Sequence, residues 1–332
     1  MLLLALIPAV LAQEVFIELD PQLMRELGLD SARLEYDLDG ALDEKLHVED
    51  IQSFLGEMAS ANTQSTKGMG VDYGSNPQRF VLGFSLGTAI NGDGAHFGKG
   101  TEDIPEGGFA FQSSATVGLN LGAFSSAEAW LRRFVVYLNA MDMTTHNGSI
   151  DADLVNYGMH LQSKIVLPGT GRYLHWGGVD FTTGWDYSEY VMTLSEPLEV
   201  KADPMTWDAT GTLVLTSQAR SVPLEVSSNI RFTILTGYAG LAVDINQGAK
   251  AVADMDLSGP VKVTIDKQTV TLGSAGVTMQ VDGGGAATLP RAFLGLQVNL
   301  LPVKAYGHLN LAYDGSNGTF GFGGHTGLRV AL

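Results

Sequence analysis

From about residue 80 to the end of the chain, apolar and polar positions alternate in long runs separated by Gly, Asp, Asn and Pro clusters. Phe109, Phe111, Ala115, Val117, Leu119 and Leu121 share one face, against Gln112, Ser114, Thr116 and Asn120 on the other. The same period sets Val155, Tyr157, Met159, Leu161 and Ile165 against Asn156, His160, Gln162 and Lys164, and Val222, Leu224, Val226, Ile230 and Phe232 against Glu225, Ser227, Asn229 and Arg231. Near the end, Val303, Ala305, Leu309, Leu311 and Tyr313 oppose Lys304, Tyr306, His308 and Asn310, and Phe320, Phe322, Leu328, Val330 and Leu332 oppose His325, Gly327 and Arg329. A strand of a soluble sandwich alternates for about five or six residues, whereas a tilted strand crossing a bilayer needs about 9 to 11. These runs reach the longer class, which predicts an all-β fold: an antiparallel transmembrane β-barrel with apolar side chains outward and polar ones inward.

Fourteen segments fit this pattern: 80–91, 109–122, 131–143, 152–167, 172–185, 188–200, 206–217, 222–235, 238–246, 258–266, 269–281, 290–300, 303–313 and 318–332. Those between Tyr238 and Val281 are the weakest, and a β-excursion within a loop there gives about twelve, so the barrel is expected to have about 12–14 strands. Tight connections at Pro168-Gly169-Thr170-Gly171 and Leu301-Pro302 belong to the periplasmic side, with loops at 91–108, 247–255 and 282–289. Trp130, Tyr173, Trp185, Tyr190, Trp207 and Tyr313 lie near strand ends, where interfacial aromatic girdles are expected.

The first eighty residues differ. Residues 1–12 are almost wholly apolar and end in Val10-Leu11-Ala12, as a secretory signal peptide does, and are far too short for a spanning helix. Asp20-Pro21 has the form of an N-cap followed by proline at the first helical position, with Gly28 as the stop. A second helix is expected from about Leu42 to Met58, loosening through Ala59-Ser60-Ala61-Asn62. The chain therefore divides into a leader, an acidic periplasmic or plug segment at 13–79 and a barrel at 80–332.

Charge sharpens this division. Of a formal net charge of −17, residues 13–60 carry −10, with thirteen acidic residues against Arg25, Arg33 and Lys45. So acidic a chain excludes a phosphate-neutralising nucleic-acid partner. The absence of cysteine fits an envelope protein. The lumen-facing candidates are Lys164, Arg231, Glu225, Lys304, His308 and Arg329, a polar interior with fixed cations. An acidic segment drawn to those cations would close the periplasmic mouth; otherwise it is a solvated extension.

The terminal strand resembles the assembly signal of bacterial outer-membrane proteins: His325, Gly327, Val330 and Leu332 fill its places, with leucine where the usual last residue is aromatic. The resemblance implies insertion into the outer membrane by the β-barrel assembly machinery. The strand tally and the pre-barrel segment are also loosely similar to the fatty-acid-transporter (FadL-like) superfamily, whose members have fourteen strands and an N-terminal hatch inside the barrel.

Two segments carry the residue types of outer-membrane lipases, Thr145-His146-Asn147-Gly148-Ser149 and Asp314-Gly315-Ser316-Asn317-Gly318, and both read as turns. His160, His308 and His325 lack metal-ligand spacing, and Gly283-Gly284-Gly285 lacks the Lys-Ser or Lys-Thr of a phosphate loop, so no cofactor or metal is assigned. The expected function is a porin-like or hydrophobic-solute channel rather than an enzyme. The alternative is a structural or surface-interaction barrel with a filled lumen, and a third class is a lipid-modifying enzyme. Expected partners are outer-membrane lipid, lipopolysaccharide, the assembly machinery and a small solute or hydrophobic ligand.

Overall fold

The fold is seen in a computed structural model. The residues described are 12–28, 30, 32, 33, 36, 37, 40, 48–74, 79–92, 107–123, 129–171, 174–195, 197–202, 205–265, 268–300, 302–316 and 318–331. The leader expected at 1–12 lies outside them except for Ala12, as do Tyr173 and Leu332.

One antiparallel sheet, with helical segments before it and short 3-10 turns at Leu121–Ala123 and Ala129–Arg133, organises the described residues. Strand β1 spans Ala12–Leu19, helix α1 Pro21–Glu26 and helix α2 Val48–Ser65. The start of α1 is the expected cap: Asp20 Oδ1 accepts hydrogen bonds from the backbone N–H of Gln22 at 2.8 Å and Leu23 at 3.2 Å, Pro21 follows, and Gly28 takes the left-handed φ of +66° beyond the last turn. Helix α2 does not loosen at Ala59. It runs to Ser65, because its surroundings are the inside of a barrel rather than water.

The strands that follow are β2 Phe80–Gly92, β3 Gly107–Asn120, β4 Phe134–Asn147, β5 Ile150–Val166, β6 Gly169–Thr170, β7 Leu174–Leu194, β8 Leu198–Ala202, β9 Met205–Phe232, β10 Leu235–Asn246, β11 Lys250–Ile265, β12 Gln268–Gly284, β13 Thr288–Leu300, β14 Val303–Asp314 and β15 Thr319–Ala331. Twelve of them are twelve residues or longer. Ten close the ring, in the order β2-β3-β4-β5-β7-β9-β10-β13-β14-β15 and back to β2. Two pairs of expected strands are each one continuous strand for most of their length: β7 covers 174–185 and 188–194, and β9 covers both 206–217 and 222–235 to Phe232.

The weak region does hold an excursion. The hairpin β11–β12 leaves the ring, pairs β11 with the first half of β9, and takes β1 on its other side, so the segment expected as a loop at 247–255 is largely strand. Both ends of the barrel portion, Phe80 and Ala331, lie at one end of the ring, together with the connection at 168–171 and Pro302. This is the near end. The excursion and β1 form a cap at the far end.

One strand shows why the cap and the barrel are physically different. Along β9 the odd residues point inward throughout. From 205 to 219 they include Met205, Trp207, Ala209, Leu215 and Ala219, all buried, while Thr206, Asp208, Thr210, Thr212, Thr216 and Gln218 face out. From 221 onward the inward set is Ser221, Glu225, Ser227 and Asn229, and the outward set is Val222, Leu224, Val226, Ile230 and Phe232. The parity never slips, but the polarity inverts.

Neighbouring strands invert at the same level. In β7 the inward residues change from Asp186 and Ser188 to Tyr190, and in β5 from Asn156 to Leu154 and Ala152, with Asn156 opposite Ser188 and Asp186 opposite Ser221. Outward charges appear on the far side of this level, at Asp142, Asp151, Asp153 and Glu189. Below it the outer wall is an apolar belt that includes Leu82, Phe84, Leu138, Met159, Val226, Leu294, Leu309 and Phe322, each 39% exposed or more. Residues 222–232, at about 3.3 Å each and tilted by about 45°, reach about 25 Å, the height of a lipid-facing band.

The cap has an ordinary hydrophobic core in which Trp207 is completely buried and donates its Nε1 proton toward the carbonyls of Gly259 at 3.2 Å and Ala275 at 3.1 Å. Trp207 and Tyr190 therefore belong to this core and not to an aromatic girdle, whereas Trp130 and Tyr313 are exposed on the wall. Replacing Trp207 with Ala is expected to cost the cap about 3–5 kcal/mol. The measurement is limited proteolysis: the β11–β12 hairpin should become cleavable while the barrel stays resistant.

Candidate functional site: the filled lumen

Inside the ring the alternation supplies polar side chains, and the chain's own N-terminal portion meets them. Helix α2 enters from the cap, where Ile51, Leu55 and Met58 pack into the cap core, and touches β2, β3, β7, β9, β14 and β15. Residues 55–73 are almost wholly enclosed; Leu55, Ser60, Asn62, Gln64 and Lys67 are each no more than 1% exposed. The helix passes so close to β3 that a Cβ on Gly108 would sit 2.1 Å from the backbone of Glu57 and Met58. After Ser65 the chain turns through Gly68, whose φ of +86° and 2.8 Å approach to the His308 ring both require glycine, and continues toward the near end at Tyr73.

Hydrogen bonds fix this inner segment at successive levels. At the top, Ser60 Oγ donates to Asp314 Oδ2 at 2.7 Å, Asn62 Nδ2 to the Ser217 carbonyl at 3.1 Å and Gln64 Nε2 to Asn91 Oδ1 at 2.9 Å. In the middle, Lys67 Nζ lies 2.7 Å from Asp186 Oδ2 and 3.9 Å from Asp244 Oδ1 and also donates to Ser221. Asp186 receives His160 as well, at 3.0 Å. At the bottom, Tyr73 OH donates to Glu225 at 2.6 Å, its ring stacks near Tyr238, Phe293 and His308, and Asn229 holds its carbonyl at 2.8 Å.

Around this segment the wall completes the charge balance. Arg291 Nε is 2.9 Å from Asp244, Nη1 is 2.7 Å from Asn310 Oδ1, and Nη2 meets Glu225. Arg329 lies 3.4 Å from Asp72 of the inner segment and 3.8 Å over the Tyr306 ring. Charges in so enclosed a space persist because each has an opposite charge beside it; removing one partner leaves another buried and uncompensated.

Of the expected lumen residues, Glu225, His308 and Arg329 are buried within this network, while Lys164 is half-buried at the near mouth on Asp180 at 2.9 Å. Lys304 is half-buried beside the same mouth, opposite Arg329, and Arg231 is exposed at its edge. The expected attraction runs mainly the other way. The inner segment brings the cation, Lys67, to carboxylates of the wall, and of the expected lumen cations Arg329 meets Asp72. Glu14 and Glu18 of β1 and Asp20 at the start of α1 lie at the cap, away from the mouth that the acidic segment was expected to close. Asp186, Asp244 and Arg291 were missed; each shares strand parity with a buried polar residue of its own strand, Ser188, Thr236 and Gln297. Lys67 carried a weaker signal, a lone cation in a run of small and uncharged residues.

The terminal strand places His325 inward, 4.9 Å from His308 across the sheet, with Gly327 on the same face and Val330 on the outer one. His160 stands apart on β5. The two serine-bearing segments top different hairpins, β4–β5 and β14–β15. His146 pairs with Asp151 at 2.7 Å in the open, and Ser316 donates to Asp314 within its own turn.

The sequence matches the Lsa36-like family model over residues 13–332. The chain belongs to the Lsa36-like family. No curated protein matches it. Among solved structures it is similar to the outer-membrane protease OmpT of Escherichia coli, at 10% identity and a TM-score of 0.38 over 77% of this chain and 97% of that one. It is also similar to the monoaromatic hydrocarbon channel CymD, at 7% and 0.31 over 85% and 98%, and to the toluene transporter TbuX of Ralstonia pickettii, at 7% and 0.30 over 85% and 99%. Such likeness assigns no activity to this Lsa36-like chain.

Proposed function

We propose that this Lsa36-like chain is an outer-membrane barrel held shut by its own N-terminal segment, and that it serves to display the β-cap outside the membrane. The observation that carries this reading is the inversion of polarity at one level on β5, β7 and β9. An apolar outer wall suits lipid, and an apolar interior under a Thr- and Asp-rich outer face suits water. The cap then stands on the side opposite the C-terminal strand, which is the cell surface if the barrel termini are periplasmic. Lipid covers the belt, the assembly machinery reads β15, and the acidic cap meets lipopolysaccharide through divalent cations.

A second reading is a gated channel for a small or hydrophobic solute. It is favoured by the polar contacts of the inner segment between Ser60 and Tyr73, which can be exchanged for water without exposing an apolar core.

The test of display uses the cysteine-free background. A single Thr210→Cys on the outer face of the cap should react with a membrane-impermeant maleimide on intact cells, and a Ser163→Cys near the opposite end should react only after lysis. Labelling of Ser163→Cys on intact cells, with Thr210→Cys protected, would reverse the orientation and remove the display function.

A further inference from the structure

Charge is distributed unevenly between the two ends of the barrel. The cap and far rim carry Glu14, Glu18, Asp151, Asp153, Asp254 and Asp256, while the near rim carries Arg79, Arg132, Arg133, Arg231 and Lys304. Among the described residues two acids lie at that end and both face cations of the barrel, Asp180 with Lys164 at 2.9 Å and the buried Asp72 with Arg329 at 3.4 Å.

The connection between β3 and β4 concentrates this feature. A single turn of 3-10 helix, Ala129–Arg133, straddles the edge of the barrel. On its outer side Trp130 is 56% exposed and meets Phe134 of the lipid-facing wall edge-on, with ring centroids 5.7 Å apart. On its inner side the stem of Arg132 packs over Gly122, and Asn120 Nδ2 donates to the Arg132 carbonyl at 3.3 Å. Both arginines are exposed, and no hydrogen bond or ion pair of either guanidinium occurs among the described residues. They border a recess of about 30 Å³ shared with Asn120, Val135, Gln162, Lys164 and Asp180, whose carboxylate is held by Lys164 at 2.9 Å. That is about the space of one water, so the recess admits an oxygen of a phosphate whose remainder stays outside.

We propose that this turn is a binding site for the headgroup of an anionic phospholipid in the leaflet at the near end, and the proposal rests on the membrane reading above. The indole lies where an aromatic ring straddles hydrocarbon and headgroup. Two guanidinium forks a residue apart supply the planar donors that a phosphodiester accepts. A dissolved anion would use the forks but not the ring on the lipid-facing side, and the phospholipid uses both.

The test is native mass spectrometry of the full chain released from neutral-detergent micelles that contain equal phosphatidylglycerol and phosphatidylcholine. Wild type should retain phosphatidylglycerol preferentially. In the R132Q/R133Q variant that preference should fall by about twenty-fivefold, at about fivefold for each cation near a membrane surface. Trp130→Ala should lower retention with the arginines intact, and Lys201→Gln in the cap should change nothing. Heat-dependent gel mobility verifies that each variant is a closed barrel. Unchanged preference in a folded R132Q/R133Q would overturn the proposal. So would displacement of the lipid by 10-fold excess inorganic phosphate, which would make this a site for free anions. A chain that stays dissolved as a folded monomer without detergent would instead remove the membrane reading itself.

Discussion

Lys67→Ala is expected to unseat the inner segment. The ammonium is 1% exposed and lies 2.7 Å from Asp186, with Asp244 at 3.9 Å, both carboxylates being enclosed as well. Taking away the cation leaves two buried acids facing each other with His160 and Arg291 to share, and breaking such a pair costs about 3–5 kcal/mol. Because the lost energy belongs to the contact between segment and wall, the ring itself should survive. The expected readout is frequent channel opening in planar bilayers by a protein with the gel mobility of a folded barrel. Removing both charges in K67M/D186N should restore a large part of the closure, since no unpaired ion then remains at that level. Equal disruption by the single and double variants would show that shape, and not charge, seats the segment.

The second large effect concerns the level at which polarity inverts. Val226 faces outward in the middle of the belt, and Thr212 faces outward on the same strand above the inversion. Val226→Arg is expected to cost about 2–4 kcal/mol of insertion into vesicles, as a cation near the bilayer midplane does, while Thr212→Arg should cost nothing measurable. Urea-dependent folding into lipid vesicles reads both. Equal effects at the two positions would mean that β9 does not cross a lipid boundary near Arg220.

That strand also shows what sequence periodicity can and cannot carry. The sequence offers 206–217 and 222–235 as two strands because the composition changes between Ser217 and Val222 and a proline stands at 223, whereas the chain runs through both as one strand to Phe232. The change marks a change of solvent along one strand. Pro223 is accommodated because the pairing of β9 with β7 is interrupted at Val222 and Pro223, although Pro223 still faces Asp244 on β10. Faces were legible for a simpler reason: every side chain on a strand repeats at two residues, so knowing that Glu225 or Gln162 points inward fixes its neighbours. The capped start of α1 was legible because Asp20, Pro21 and Gly28 act locally.

The inner segment was not legible in this way. Its helix has too little amphipathic signal to announce a partner, because half of its surroundings are the polar lumen and half the apolar cap. Nor could acidity locate it. Most of the negative charge of residues 13–60 lies in the sequence after α1, Glu14 and Glu18 of β1 sit at the cap, and the contacts in the bore come from Ser60, Gln64, Lys67 and Tyr73. Which strand closes the ring depends on pairing over long sequence separations, β7 with β9 and β15 with β2, and no local pattern encodes that choice.

Single-channel conductance of the full chain beside a variant lacking residues 12–74 tests the closed barrel most directly. The full chain should be electrically silent for long periods, and the shortened one, inserted and heat-modifiable, should conduct steadily through a bore lined by Asp186, Glu225, Asp244 and Arg291. Equal, steady conductance from both proteins would contradict it.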